Sequence, residues 1–431
     1  MPSPPITLTL WGDWSPAIGM NAAPLDDPAA LYGGLYPVLQ RADLNILNLE
    51  GVFIPPGSRP IVKDGRPLSL PEAALPSLRP FGMVCLANNH LMDYGEAGLR
   101  RTLEVLNATG IAWTGITPPE GTPPPQNPLP AWLHLINAAE GEEARAAPER
   151  PGARPLDIPA LCAETREQTA AGRTVVAVLH TGREHWCIPA PYVRDACRAL
   201  AEAGAALVVG HHPHVPQGME TWNGTPIFYS LGNFVLRPLS GWRWHPLGYG
   251  VEARFSRPGA PPQVSIHPYE ITPAGLHALE RKAFTEGALA SLSAPLKDEE
   301  KLNVLWDAYV DDFLQRGKGM ETLLRALGSL GGTRWGTASL WRGASASIRG
   351  SHLKGSLLRR LLLGAAALLG EDAPSLALTP EKARQAAILR NRFDTPAHRE
   401  VWLRALSRMM DGSFGDSPPW AVEALKVWRL P

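Results

Sequence analysis

From Ile6 to about residue 270, short apolar runs alternate with stretches of helical periodicity. Ile6–Leu10, Leu44–Leu47, Met83–Leu86, Leu133–Asn137, Thr174–Leu179, Ala206–Val209 and Ile227–Ser230 read as strands. Several are unbroken apolar runs, the pattern of strands covered on both faces. Gly95–Ala108 and Tyr192–Ala203 read as helices, with Gly204 placed to end the second. The Pro-rich stretch 117–130 and the polar stretch 138–155 read as loops. From about 275 the strand pattern gives way to Ala278–Leu289, Glu299–Gln315, Met320–Leu327, Leu353–Leu369, Pro380–Arg392 and His398–Met410, all with helical periodicity. The pattern predicts an α/β domain over 1–274 and an α-helical module over 275–431, serving as lid, substrate-binding or oligomerisation element. No internal repeat is visible.

Composition narrows the class. Of the 431 residues, 45% are hydrophobic and 19% charged, which supports a sizeable core and excludes global disorder. Basic and acidic residues balance at 41 each, which argues against a nucleic-acid binder or a polybasic membrane-surface protein. Cys85, Cys162, Cys187 and Cys197 form no CxxC pair and read as buried thiols of a reducing compartment. Residues 1–10 show neither a basic n-region nor an apolar h-region, and Leu361–Gly370, beside Arg359 and Arg360, is too short to span a bilayer. The expectation is a soluble, cytoplasmic protein. Its oligomeric state is not readable from the sequence.

Chemistry gathers where the apolar runs stop. Gly12-Asp13, Asn48-Leu49-Glu50, Asn88-Asn89-His90 with Asp93, His180, Gly210-His211-His212-Pro213-His214 and Leu231-Gly232-Asn233 each follow a strand candidate. Ligands of α/β sheets bind at strand ends. Asp13, Glu50, Asn89, His180, His212 and His214 form a mixed oxygen and nitrogen set suited to one or two divalent ions, among Mn, Fe, Zn, Mg and Ca. Trp11, Trp14, Trp186, Trp242 and Trp244 lie near these segments, as core packing or as an apolar wall for a peptide-like substrate.

The series Gly12-Asp13, Asn48-Leu49-Glu50, Asn88-Asn89-His90 with Asp93-Tyr94-Gly95, His180-x-Gly182-x-Glu184, Gly210-His211-His212-Pro213-His214 and Tyr229-Ser230-Leu231-Gly232-Asn233-Phe234 resembles the CapA (poly-γ-glutamate capsule) family, a branch of the calcineurin-like metallophosphoesterase superfamily. The match runs over roughly residues 6–255. The resemblance implies a four-layer αββα sandwich. It implies that Asp13 and His214 ligate a first metal, that Asn89, His180 and His212 ligate a second, and that Glu50 bridges them. His90 would stand by the substrate as acid or oxyanion stabiliser, oriented by Asp93. Two positions depart from the pattern. Ser15 stands where the superfamily's Asp-x-His motif has an imidazole, and Thr181 where CapA proteins carry Trp.

Three functions follow as expectations. In the first, a metal polarises a carbonyl and an acid/base pair, drawn from His90, Asp93 and Asp13 with an unassigned partner, epimerises an α-carbon of a peptide-type substrate such as a ribosomal peptide. In the second, the same centre hydrolyses a phosphoester or an amide of a polyglutamyl-type substrate. In the third, the site is structural in a polymer-binding protein.

Overall fold

The computed structural model describes residues 5–17, 20, 23–141, 143–236, 241–315, 391 and 395–428. Its strands in chain order are β1 (Ile6–Trp14), β2 (Leu44–Leu49), β3 (Met83–Cys85), β4 (Ala112–Thr114), β5 (Ile116–Thr117), β6 (Leu133–Ala139), β7 (Gly152–Ala153) and β8 (Thr174–His180). They continue with β9 (Ala205–His211), β10 (Met219–Trp222), β11 (Thr225–Phe228), β12 (Asn233–Val235), β13 (Leu247–Phe255), β14 (Gln263–Thr272) and β15 (Gly275–Ala278). The main helices are α1 (Pro28–Tyr32), α2 (Tyr36–Arg41), α3 (Gly95–Thr109), α4 (Ile158–Ala170) and α5 (Pro191–Glu202).

One sheet has the order β15-β14-β13-β1-β2-β3-β4, with β12 also on β1; a second has the order β10-β11-β9-β8-β6. Strand parity explains why they stack. Leu8 and Leu10 of β1, Leu44 and Ile46 of β2, and Met83 and Cys85 of β3 share one core with Val176 and Val178 of β8 and Leu207 and Val209 of β9. The opposite face of the first sheet, with Trp11, Leu47, Leu49 and Val84, packs on Leu31, Leu39, Leu99 and Leu103 of α1, α2 and α3. Helices α4 and α5 cover the second sheet at β8 and β9. The result is the αββα sandwich. Because successive strand side chains alternate, each parallel strand buries both faces, which accounts for their unbroken apolar runs.

The helices begin and end on local signals. Asp27 accepts from the amides of Ala29 and Ala30 to start α1, and α3 stops at Gly110 with φ of 74°. The predicted loop over 138–155 contains the short strand β7, which pairs with β5. Gly275–Ala278 is a strand and not the onset of a helical module: it pairs antiparallel with β14. The compact unit built on the two sheets accordingly runs on to Glu299, through short helical turns between Arg281 and Lys297.

A second compact unit comprises Val62–Arg66 and Glu300–Val427. Within it, Arg408 forms a two-bond pair with Asp311 at 3.2 and 2.9 Å and reaches Asp307 at 3.0 Å, where Arg404 also binds. The predicted helices Met320–Leu327 and Leu353–Leu369 lie outside the described residues, as does nearly all of Pro380–Arg392. Among the described residues no helix is long and apolar enough to cross a membrane. All four cysteines are buried and free.

Gly12 has no room for a side chain: a Cβ there would lie 2.0 Å from the Gly232 carbonyl oxygen. Gly12→Ala is expected to lower unfolding free energy in urea by at least about 2 kcal/mol through overpacking against backbone. At Gly110 a Cβ meets nothing within 4 Å, so Gly110→Ala is expected to cost only about 1 kcal/mol, from its left-handed φ.

Candidate metal centre

The faces that form the inter-sheet core run on into polar residues at one sheet edge. Asn48 continues the parity of Leu44 and Ile46, His180 that of Val176 and Val178, and His211 that of Leu207 and Val209. Asp13 joins them through a bulge. The β1–β2 register passes from Trp11↔Leu47 to Asp13↔Asn48, leaving Gly12 as the extra residue that turns the carboxylate inward. The Asp13 amide donates to the Gly232 carbonyl at 3.2 Å, which requires the close approach only glycine permits at position 12.

Around Asp13 the contacts are dense. Asn48 Nδ2 donates to Asp13 Oδ1 at 2.8 Å and lies 3.3 Å from His180 Nδ1. His211 Nδ1 is 3.2 Å from Asp13 Oδ1, and His214 Nδ1 is 3.4 Å from Asp13 Oδ2. His214 Nδ1 also meets Asn233 Oδ1 at 2.9 Å. With its Nδ1 proton given to that amide oxygen, a neutral His214 carries its lone pair on Nε2, 3.6 Å from Glu50 Oε1.

Glu50 is the centre of the arrangement. It is fully buried, and neither of its carboxylate oxygens has a hydrogen-bond partner. Three imidazole Nε2 atoms surround Oε1: His214 at 3.6 Å, and His90 and His180 at 3.8 Å. Asn89 Oδ1 lies 3.0 Å from His180 Nε2. On the other side of His90, Nδ1 meets Asp93 Oδ2 at 2.7 Å, and that oxygen accepts from the Leu68 amide at 2.6 Å. Asp93 thus fixes the ring and leaves its Nε2 facing Glu50. Asp13, Glu50, Asn89, His90, Asp93, His180 and His214 therefore lie in one cluster, and His212 joins it with its ring centroid 4.7 Å from that of His180.

Three groups of donor atoms have the spacing to hold a cation, each lying within 4.8 Å of one another: Asp13, Glu50 and His214; Glu50, His180 and His212; and Glu184, His212 and His214. The first two share Glu50. Unsatisfied buried atoms mark the same place: Glu50 Oε1 and Oε2, Asp13 Oδ2 and His212 Nδ1. Uncompensated burial of a carboxylate costs several kcal/mol, so this donor set fits a divalent ion. The backbone is bent to the same end. His212 and His214 hold positive φ of 98° and 58°, and so does His185 at 58°. Such conformations cost about 1–3 kcal/mol each and persist where the surroundings enforce them.

Charges follow the packing. Burial alone would raise the Asp13 carboxyl, but contacts with His211 and His214 outweigh it and hold the group well below the usual carboxylate range. Burial drives the Glu50 carboxyl well above that range, against the pull of His214. Burial opposes a proton on His214, yet Glu50 and Asp13 raise it to about 10. These last two shifts draw on one charge pair, since a proton on Glu50 removes the attraction that raises His214. The direction common to both is retention of protons in the Glu50–His214 pair at neutral pH. Burial, then neighbouring positive charge, lowers His180, and burial brings His212 down to about 4, so both keep free lone pairs.

Asn48 has no role in the sequence reading. It looks like an ordinary polar interruption of an apolar strand, and only its parity with Ile46 hints at the site. His185 follows the His180 motif, and its ring centroid lies 5.9 Å from that of His214 and 5.2 Å from that of His245. Trp242 closes this side, 6.4 Å from His185.

The family described as bacterial capsule synthesis protein PGA_cap matches residues 7–124 and 131–237, just over half of the chain. Among relatives, the PGA biosynthesis protein CapA of Bacillus subtilis is 33% identical over 38% of this chain and 44% of its own length. The capsule biosynthesis protein CapA of Bacillus anthracis is 30% identical over 38% of this chain and 41% of its own. A probable polyglutamine synthesis accessory protein of Mycobacterium tuberculosis is 28% identical over 45% and 55%. The chain thus spans about half the length of these relatives. The matched segments carry every strand end that meets at Glu50, and the chain belongs to the CapA family of bacterial capsule synthesis proteins.

Proposed function

We propose that this chain is a metal-dependent enzyme that epimerises an α-carbon in a peptide-type substrate. The observation that carries the reading is Glu50: a buried carboxylate without hydrogen bonds, ringed by imidazoles and flanked by the His90–Asp93 dyad. Asp13, Glu50 and His214 would hold one ion; Glu50, His180 and His212, with Asn89, would hold a second. An ion held there supplies Lewis acidity toward a backbone carbonyl, which acidifies the adjacent Cα–H.

Inverting a carbon needs proton carriers on both of its faces. His90, oriented by Asp93, presents Nε2 on one side of Glu50. For the other we assign His185, which lies beside His214 and has no hydrogen bond on Nδ1. One imidazole removes the Cα proton and the second returns a proton to the opposite face, with no bond broken in the chain. Trp242 gives the His185 side an apolar wall. A relative named for polyglutamine synthesis supports an amide-backbone substrate, polyglutamyl chains included. The four buried free thiols support a reducing, cytoplasmic setting. A second reading, phosphoester or amide hydrolysis, is favoured by the 3.8 Å between His90 and Glu50, which suits protonation of a leaving group.

Three outcomes test this. Incubation of the Mn-loaded protein with polyglutamate and other peptides in heavy water is expected to place deuterium at an α-carbon without cleavage, read by mass spectrometry. Cleavage or phosphate release without such uptake would favour hydrolysis. His90→Gln and His185→Gln should each slow turnover by about a hundredfold or more while leaving ion binding intact. Glu50→Gln replaces a buried side chain that makes no hydrogen bond by a neutral isostere, so the metal-free variant should melt close to the wild-type temperature at about pH 8 yet show no ion uptake by calorimetry.

The pH sign follows from the Glu50–His214 pair. Both shifts are upward, so protons stay on the pair at neutral pH and must leave when an ion binds. Ion affinity should therefore rise from about pH 6 to about pH 8, with roughly one proton or more released per cluster at neutral pH, read by titration in buffers of different ionisation enthalpy.

A further inference from the structure

The donor set around Asp13 is short of one ligand. Ser15, buried and with no hydrogen-bond partner on its hydroxyl, occupies the position where the resemblance expects an imidazole, and a neutral hydroxyl is a poor substitute. A carboxylate approaches from the open side instead. A carboxylate oxygen of Glu184 lies within 4.8 Å of ring nitrogens of both His212 and His214.

Its placement is built into the backbone. The His185 amide donates to the Pro213 carbonyl at 2.8 Å, which ties the turn carrying Glu184 to the His212-Pro213-His214 loop. His185 takes its positive φ in that turn. Gly182, at φ of 113°, brings the chain close to Pro213: a Cβ there would sit 3.5 Å from Pro213 Cγ. On the other side of the group, His212 is 5% exposed and its Nδ1 has no partner.

We propose that Glu184 is a metal ligand, acting with His212 and His214 to close the centre from its solvent side. This rests on the metal reading above and extends it. A third carboxylate shifts the donor set toward oxygen and lowers the net charge of a loaded centre by one, which suits harder ions such as Mn, Mg or Ca. Because Glu184 is exposed while Asp13 and Glu50 are buried, it is also the ligand that can be replaced without disturbing the core.

The test is titration of the full-length metal-free protein with MnCl2, followed by calorimetry and by the spin-resonance signal of bound Mn. Glu184→Gln is expected to weaken Mn binding about tenfold or more, or to remove one Mn equivalent, and to change the bound-Mn signal. Glu184→Asp should recover part of the affinity. The melting temperature of the metal-free variants should match the wild type, so that lost binding is not lost folding. Mn affinity, stoichiometry and signal unchanged in Glu184→Gln would overturn the assignment. Failure of the wild type itself to bind Mn would sink the metal reading first, and the two failures are distinguishable in one experiment.

Discussion

The burial of Asp13 and Glu50 in one ring of imidazoles is the constraint on which the rest depends. A carboxylate taken out of water needs compensation of several kcal/mol, and Glu50 receives no hydrogen bond from the protein. A cluster of this kind is stable only if the surrounding fold is rigid enough to hold it or if a cation neutralises it. The first of these is visible. The bulge at Gly12, the glycine contact with Gly232 and the amide of Asn48 hold Asp13 in place. The positive φ at His212 and His214 aims two rings at the same point, and Asn233 fixes the second.

Architecture and chemistry are continuous in this protein. The alternation that sends Leu44 and Ile46 into the core between the sheets sends Asn48 to its edge, and the same holds for Val176, Val178 and His180. The site is therefore the polar rim of the inter-sheet core. A substitution that shifts one sheet against the other would move ligands from both: Asp13 lies in β1 and Glu50 follows β2 of the first sheet, while His180 ends β8 and the histidine loop follows β9 of the second. The helical unit, by contrast, is held by its own buried Arg408–Asp311 pair and the half-buried Arg404–Asp307 pair.

Much of this was legible in the sequence, for a definite reason. Parallel strands buried on both faces leave unbroken apolar runs, so β1, β2, β3, β6, β8 and β9 show themselves, and the polar residue after each run stands out. The antiparallel strands were harder. β13 carries exposed Arg254 and half-buried Glu252 among its apolar positions, and β15 is only four residues long, so the reading placed the end of the sheet too early. Residues that act through a neighbour were harder still. Asn48 and Asn233 look like turn or strand polar residues until Asp13 and His214 are seen beside them. His185 and Glu184 follow a motif but gain meaning only from the bond that ties their turn to Pro213.

Membership of the CapA family supplies a frame, and the chemistry within it turns on whether Glu50 meets a cation. The most direct measurement is an anomalous diffraction map from crystals of the protein grown with Mn and collected at the Mn absorption edge. A peak at about 2.0–2.2 Å from a Glu50 carboxylate oxygen, with His214 or His180 completing its shell, is the expected result. A well-ordered structure with no peak near Glu50, and with its carboxylate paired to protein groups instead, would contradict it.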